Sequence, residues 1–348
     1  MTNSIIETIG CDLGDKTSAI YVLAPDGTKQ QHRVKTTQAA LRAFFTRARA
    51  HAVIEVGAHS RWVSELLKEL GHQVTIANPR RVKAISESDT KTDRADAELL
   101  ARLGRADVQL LAPVQHRGRA AQADLAIIKG RDALVRSRTR LVNHVRGVVK
   151  SFGERLPKCT AESFHRRTRD LVPKDLQVAV EPLYEALTAI DLQIRNQDRL
   201  IEKTAEKYPD VAVLSQPHGV GVLTALAYVL TVEDKERFKK SRMAGAFLGL
   251  VPRKDQSGDG DPQLSITKSG DPFLRRLLVG SANHILGPFG KDSDLRHWGL
   301  ELAKRGGKNA KKRAKVAVAR KLAVLLHRLW VTGEVYKPLG YREERIAA

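Results

Sequence analysis

The alternation of apolar and polar positions changes character along the chain. At the start, IGCDLGDKTSAIYVLAPDG sets two apolar runs around a Gly turn, which predicts a strand, a turn and a second strand. A helix around Gln38 to Ala50 is predicted next, then a short strand over Ala52 to Val56, an amphipathic helix over Ser60 to Leu70 and a strand over Gln73 to Ala77. Strand, helix and strand in that order imply a parallel crossover. The opening hairpin and this crossover together make a mixed sheet with helices on its faces. Asn78-Pro79 ends the last strand, and a polar stretch leads into the helical segment TKTDRADAELLARLG.

Beyond about residue 112 the spacing is helical. Leu125, Ile128, Leu134, Val135, Leu141, Val142, Val145 and Val149 follow it, and Val180, Leu183, Leu187, Ile190, Ile194 and Ile201 repeat it. Two long helices joined by a Pro-containing loop suggest a helical hairpin or coiled coil. Two readings of it stay open: a spacer with solvated basic faces, or an arm that grips nucleic acid and joins protomers. From Tyr208-Pro209 onward, Gln216-Pro217-His218-Gly219-Val220-Gly221 reads as a glycine turn opening the helical run LTALAYVL, either a simple interhelical turn or a phosphate contact. The fold class is α/β plus α, with an α/β domain over 1–112, a helical arm over 113–207 and a mostly helical domain over 208–348.

Charge changes this picture most. Among 348 residues, 60 Lys and Arg oppose 39 Asp and Glu, a formal net charge of +21 that favours a polyanion, nucleic acid first. Ten of those cations and no acid lie between Lys304 and Arg328, including Lys311, Lys312 and Arg313. Cys11 and Cys159 form neither a disulfide framework nor a zinc spacing, so both are expected as thiols. The N-terminus lacks a basic-then-apolar signal pattern. The longest uncharged apolar stretch, Gly219 to Val232, is shorter than the roughly 18 residues that span a bilayer. A cytoplasmic, DNA-associated protein without a membrane partner is expected.

Against that positive background four acids stand out. Asp12 and Glu55 end predicted strands, while Asp93 and Asp96, three apart on a helix, share one face about 5–6 Å apart at Cβ. Carboxylates gathered from two strands and a helix form an oxygen-rich site suited to Mg2+. Ordinary roles also fit: acids in the first turns of a helix are stabilised by its dipole, and the other two would be turn residues.

The ordered set GCDLG, EVGAHS, NPRRVK, KTDRADAELLA, PHGVGVLTA, RFKKSRMAGAFLGLVPRKDQSG and ITKSGDPFLRRLL resembles the DEDD-type insertion-sequence transposases and Piv-like invertases over nearly the whole chain. That resemblance implies a RuvC-like domain of ribonuclease H fold, a coiled-coil arm and a C-terminal transposase domain with a nucleophilic serine. It implies Asp12, Glu55, Asp93 and Asp96 as the Mg2+-holding acids and Ser257 as the nucleophile, acting on donor and target double-stranded DNA with a structured noncoding guide RNA. Ser265 and Ser269 are rivals in the same stretch. Arg253, Lys254, Lys268 and Arg275, with Lys311, Lys312 and Arg313, are the expected nucleic-acid contacts. The sequence departs from the family at Gln216 to Gly219, where a hydrophobic residue before Pro-Gly is usual. His218 is expected as a turn or phosphate-contact residue, because no second His or Cys lies at ligand spacing. Exchange of two duplexes implies a dimer or tetramer, and the acids and Ser257 could meet within or between protomers. The competing readings are a RuvC-like nuclease that hydrolyses junction DNA, and a nucleic-acid-binding protein whose acids are structural.

Overall fold

The computed structural model describes residues 6–78, 92–256, 260, 262 and 264–340. They form two compact units, Met1–His116 and Arg117–Ala348.

The first unit is built on strands β1 (Thr8–Asp12), β2 (Thr17–Leu23), β3 (Lys29–Lys35), β4 (His51–Glu55) and β5 (Gln73–Ala77), in the order β3-β2-β1-β4-β5. β1, β2 and β3 pair antiparallel, whereas β1, β4 and β5 pair parallel, so the sheet is mixed as expected. Helices α1 (Gln38–Phe45) and α2 (Ser60–Glu69) cover one face, burying Leu41, Phe45, Val63 and Leu67 against Ile9, Cys11, Ile20 and Ile54. Helix α3 (Asp93–Ala106) covers the other face through Ala97 and Ala101. β5 matches the predicted strand, and α1 is shorter than the predicted helix. β3 was not foreseen: its sequence KQQHRVK has no apolar alternation, and it pairs with β2 from Thr17↔Lys35 to Leu23↔Lys29 at the edge of the sheet.

The second unit is helical. α4 (Arg119–Ser151) and α6 (Lys174–Ala205) pack antiparallel, with the short α5 (Phe164–Thr168) between them in sequence. The pairs Arg131–Asp198 and Arg138–Asp191 step down the two helices in opposite directions by seven residues each. One end of this hairpin has its own apolar cluster around Val145, Phe164 and Tyr184. At the other end Leu125, Ile128 and Ile201 enter the main core of the unit. That core surrounds α8 (Val222–Val232), which follows the short α7 (Asp210–Leu214) and is buried on nearly all sides. Around it stand α9 (Met243–Phe247), α10 (Pro272–Ile285), α11 (Asp294–Lys304) and α12 (Ala310–Thr332). Both cysteines are free. Among the described residues no helix is long and apolar enough to cross a membrane.

Candidate active site and nucleic-acid interface

Strand parity decides which side chains meet in the first unit. Ile9 and Cys11 of β1, with Ala52 and Ile54 of β4, enter the core beneath α1 and α2. The alternate residues Gly10 and Asp12, and Val53 and Glu55, therefore face α3. Two close approaches agree. A Cβ built on Gly10 would stand 2.5 Å from the main-chain nitrogen of Ala101, and one on Gly104 would stand 3.5 Å from His51 Cε1. Arg105 also donates to Thr8 Oγ1 (3.4 Å). The C-terminal end of α3 thus lies over the starts of β1 and β4, so the helix runs antiparallel to them and its first turn lies over their ends.

At those ends the register Cys11↔Ile54 brings Asp12 and Glu55 side by side. Asp93 and Asp96 occupy the first turn of α3, where Thr92 caps the helix by accepting from the N–H of Ala95 (3.2 Å). All four acids therefore lie toward the same end of the sheet. Asp96 is buried, Asp12 and Glu55 are half-buried and Asp93 is exposed. The positive end of the helix dipole favours carboxylates here. Among the described residues no three His, Cys, Asp or Glu side chains are drawn into a ready-made metal cage. The donor chemistry nevertheless fits a hard divalent ion. Cys11, one residue before Asp12, is sealed in the core, and burial followed by the neighbouring Asp12 charge pushes its thiol up to about 12.

Ser257 lies outside the described residues. The segment containing it is framed by a short ladder, in which Pro252 bridges Ile266, Arg253 N–H donates to Ser265 O and Thr267 N–H donates to Val251 O, both at 2.9 Å. Two glycines fix the base of this ladder. Gly249 (φ +66°) and Gly270 (φ +78°) take left-handed conformations, and a side chain on either would collide with the facing backbone. Asp271 then caps α10, accepting from the N–H groups of Phe273 (2.8 Å) and Leu274 (3.0 Å), with Pro272 in the first turn. Arg275 Nη1 donates to the carbonyls of Leu248 and Ser269, each at 2.9 Å, and so ties the two sides of that base together.

A cleft of about 1840 Å³ runs from this ladder to α11 and α12, lined by Pro252, Ser265, Ile266, Trp298, Lys312, Arg313 and Arg320. Lys321 Nζ stands 3.9 Å above the Trp298 ring. Lys311, Lys312 and Arg313 are exposed in the first turn of α12, which carries no acid. Cations at a helix N-terminus oppose the dipole, so this placement costs stability and concentrates positive potential where an anion can sit. Arg253, Lys254 and Lys268 are exposed as well, and Lys268 has a positive φ of 54°.

The glycine turn before α8 differs from expectation in one respect. Tertiary structure supplies the second histidine absent from the local sequence. His284 Nε2 lies 3.1 Å from His218 Nε2, which also lies 3.1 Å from the carbonyl oxygen of Phe289.

Two family models cover most of this architecture. The DEDD-type IS110 model, described as a transposase, matches residues 9–153, and the model of the transposase IS116/IS110/IS902 family matches residues 211–292. The chain is 31% identical over 291 residues to the transposase for insertion sequence element IS1111A of Coxiella burnetii, covering 81% of this chain and 77% of the relative. A probable family 20 transposase of Pseudomonas aeruginosa is 28% identical, with 81% and 84% covered. The pilin gene-inverting protein of Moraxella lacunata is 25% identical, with 79% and 78% covered. With both of its units matched, the chain belongs to the IS110 family of insertion-sequence transposases, enzymes that bind DNA, cleave it and rejoin it.

Proposed function

We propose that this transposase moves an insertion sequence by RNA-guided strand exchange through a serine-linked DNA intermediate. The observation that supports the reading is that Asp12 and Glu55 end the paired strands β1 and β4, while Asp93 and Asp96 stand in the first turn of α3. The strand order of the first unit supports a RuvC-like domain of ribonuclease H type. The four acids would hold Mg2+, which when bound supplies charge stabilisation at the scissile phosphate. Ser257 Oγ would form a bond to phosphorus as the bond to one DNA oxygen breaks, with the serine proton ending on the departing oxygen. Attack by a DNA hydroxyl reverses the step and frees the serine. The phosphodiester energy is thereby conserved, and rejoining needs no external source.

The base tied by Gly249, Gly270, Asp271 and Arg275 would fix the ladder that lines the basic cleft through Pro252, Ser265 and Ile266. Arg253, Lys254, Lys268, Lys311, Lys312 and Arg313 would take phosphates of DNA or of the structured guide RNA, while Arg275 acts through the backbone it ties. Base choice would rest with the RNA by pairing, as in other guided systems. Residues 113–207 would serve as a coiled-coil arm joining a dimer or tetramer, between the 1–112 catalytic domain and the 208–348 transposase domain.

The test is a cleavage assay with Mg2+, labelled donor and target DNA and the cognate RNA, comparing wild type, Ser257→Ala and Asp12→Asn on denaturing gels. A protein-DNA adduct in the wild type, absent from both variants, is expected. Equal release of free nicked DNA by wild type and Ser257→Ala would instead establish a hydrolytic RuvC-like nuclease.

A further inference from the structure

We propose that His218 and His284, with the main-chain carbonyl of Phe289, form a site for one imidazole-preferring divalent ion of the Zn2+ class, separate from the carboxylate set and independent of the recombination chemistry above. Three potential ligand atoms meet there. His218 Nε2 lies 3.1 Å from His284 Nε2 and 3.1 Å from the oxygen of Phe289, and the two rings are 5.0 Å apart at an angle of 48°. Zinc–nitrogen bonds of about 2.0–2.1 Å place neighbouring ligands of a tetrahedral centre about 3.3 Å apart. The two separations from His218 Nε2 are within a few tenths of an ångström of that edge. Imidazole nitrogens favour Zn2+, Ni2+ and Cu2+ over Mg2+, so the site differs in kind from the four acids.

The surrounding backbone holds the two rings in place. Gly219, at φ +91°, packs so closely on the end of α10 that a Cβ there would lie 3.1 Å from Ile285 Cγ1 and 3.3 Å from His284 Cδ2. On the far side of the site, Arg296 Nη1 donates to the carbonyl of Gly287 (2.7 Å), and Gly290 N–H donates to the same carbonyl (3.2 Å), which fixes the loop carrying Phe289. A hydrogen bond alone explains the arrangement less fully. One hydrogen on His218 Nε2 would have to be shared between the Phe289 oxygen and the His284 nitrogen, leaving each a bent partner. With two imidazoles and one carbonyl as ligands, the ion would keep at least one open position. That position adjoins a pocket of about 400 Å³ lined by Ser215, His218, Lys291 and Asp292, so water or a phosphate oxygen could complete the shell.

The full-length protein, stripped with chelator, is titrated with ZnCl2 by calorimetry in a large excess of Mg2+, which occupies the carboxylates. One equivalent is expected to bind the wild type and Asp12→Asn alike, with affinity reduced at least about 10-fold in both His284→Ala and His218→Asn, as loss of a metal-orienting group typically produces. His284 is exposed, so its truncation leaves the fold intact, and circular dichroism checks this. His284→Gln, which keeps the side-chain volume, is the second variant. Co2+ in place of Zn2+ gives an independent readout through the visible absorption of a four-coordinate ion. Absence of Zn2+ binding in the wild type, or equal binding by the wild type and the histidine variants, overturns the proposal.

Discussion

Replacing Gly10 by alanine should disable the candidate site through a helix that Gly10 itself does not belong to. The added methyl would stand 2.5 Å from the nitrogen of Ala101 and 3.1 Å from its Cβ, and would overlap the carbonyl oxygen of Ala97. Heavy atoms pack best at about 3.5–4.0 Å, so α3 must rise from the sheet by about 1 Å. Overpacking of this kind costs about 1–3 kcal/mol. The larger consequence is geometric, because Asp93 and Asp96 ride on α3 whereas Asp12 and Glu55 stay on the strands. A misplacement of about 1 Å costs about 100-fold in rate where reacting groups must be aligned. The control is Leu67→Ala, on α2 over the opposite face of the sheet, which should cost about 2–5 kcal/mol without lifting α3. Cleavage rates of both variants are measured well below their melting temperatures. Gly10→Ala should be about 100-fold slow and Leu67→Ala close to wild type. Wild-type rates in Gly10→Ala, or equal losses in the two, would refute the reasoning.

Other expectations follow from particular contacts. Asp191, 2% exposed, accepts from Arg138 Nη1 at 2.5 Å, and His165 Nδ1 lies 3.0 Å from its other oxygen without the alignment of a hydrogen bond. Asp191→Ala leaves the Arg138 charge uncompensated and should cost about 3–5 kcal/mol in urea unfolding, whereas Asp191→Leu combined with Arg138→Leu should recover most of it. Equal instability of the single and double variants would contradict this. Burial lowers His327 below its ordinary value of 6.5. Its neutral ring donates from Nε2 to the Lys235 carbonyl (2.9 Å) and accepts at Nδ1 from Ser241 (3.1 Å). The unfolded chain therefore binds the proton first, and stability should fall as pH drops below 6.5 towards the lowered folded value. His327→Gln should flatten that part of a melting-temperature profile, and an unchanged slope would refute the assignment. Thiol titration of the native protein should find Cys159 alone, with Cys11 reacting only in denaturant, since its thiol is raised to about 12 in the core. Replacing Lys312 and Arg313 together should lower the slope of log affinity against log salt by about 2, at about 0.9 for each duplex phosphate. An unchanged slope would place DNA elsewhere.

The sequence alone determined the class of the first unit, four of its strands and the candidate acids, because a buried strand or amphipathic helix writes its own burial into its residue spacing. Gln73 to Ala77 reads as a strand for that reason, and the antiparallel long helices read from their apolar stripes. β3 left no such trace: none of its side chains is fully buried, and it is held chiefly by hydrogen bonds to β2, with Val34 alone of its apolar residues packed against the core. Asp12, Glu55, Asp93 and Asp96 were legible as types and places in the sequence, and the family motifs suggested they belong together. Their placement toward one end of the sheet was decided by the tertiary structure, through the parallel register of β1 with β4, the parity that turns both strand acids toward α3, and a glycine small enough for the helix to settle there. Arg275 reads as one more surface cation until the carbonyls of Leu248 and Ser269 close around it. His218 and His284 are 66 residues apart, so no local spacing could pair them. Periodicity records how each element meets its surroundings, whereas chemistry between distant elements depends on registers and crossovers that only the packed chain selects.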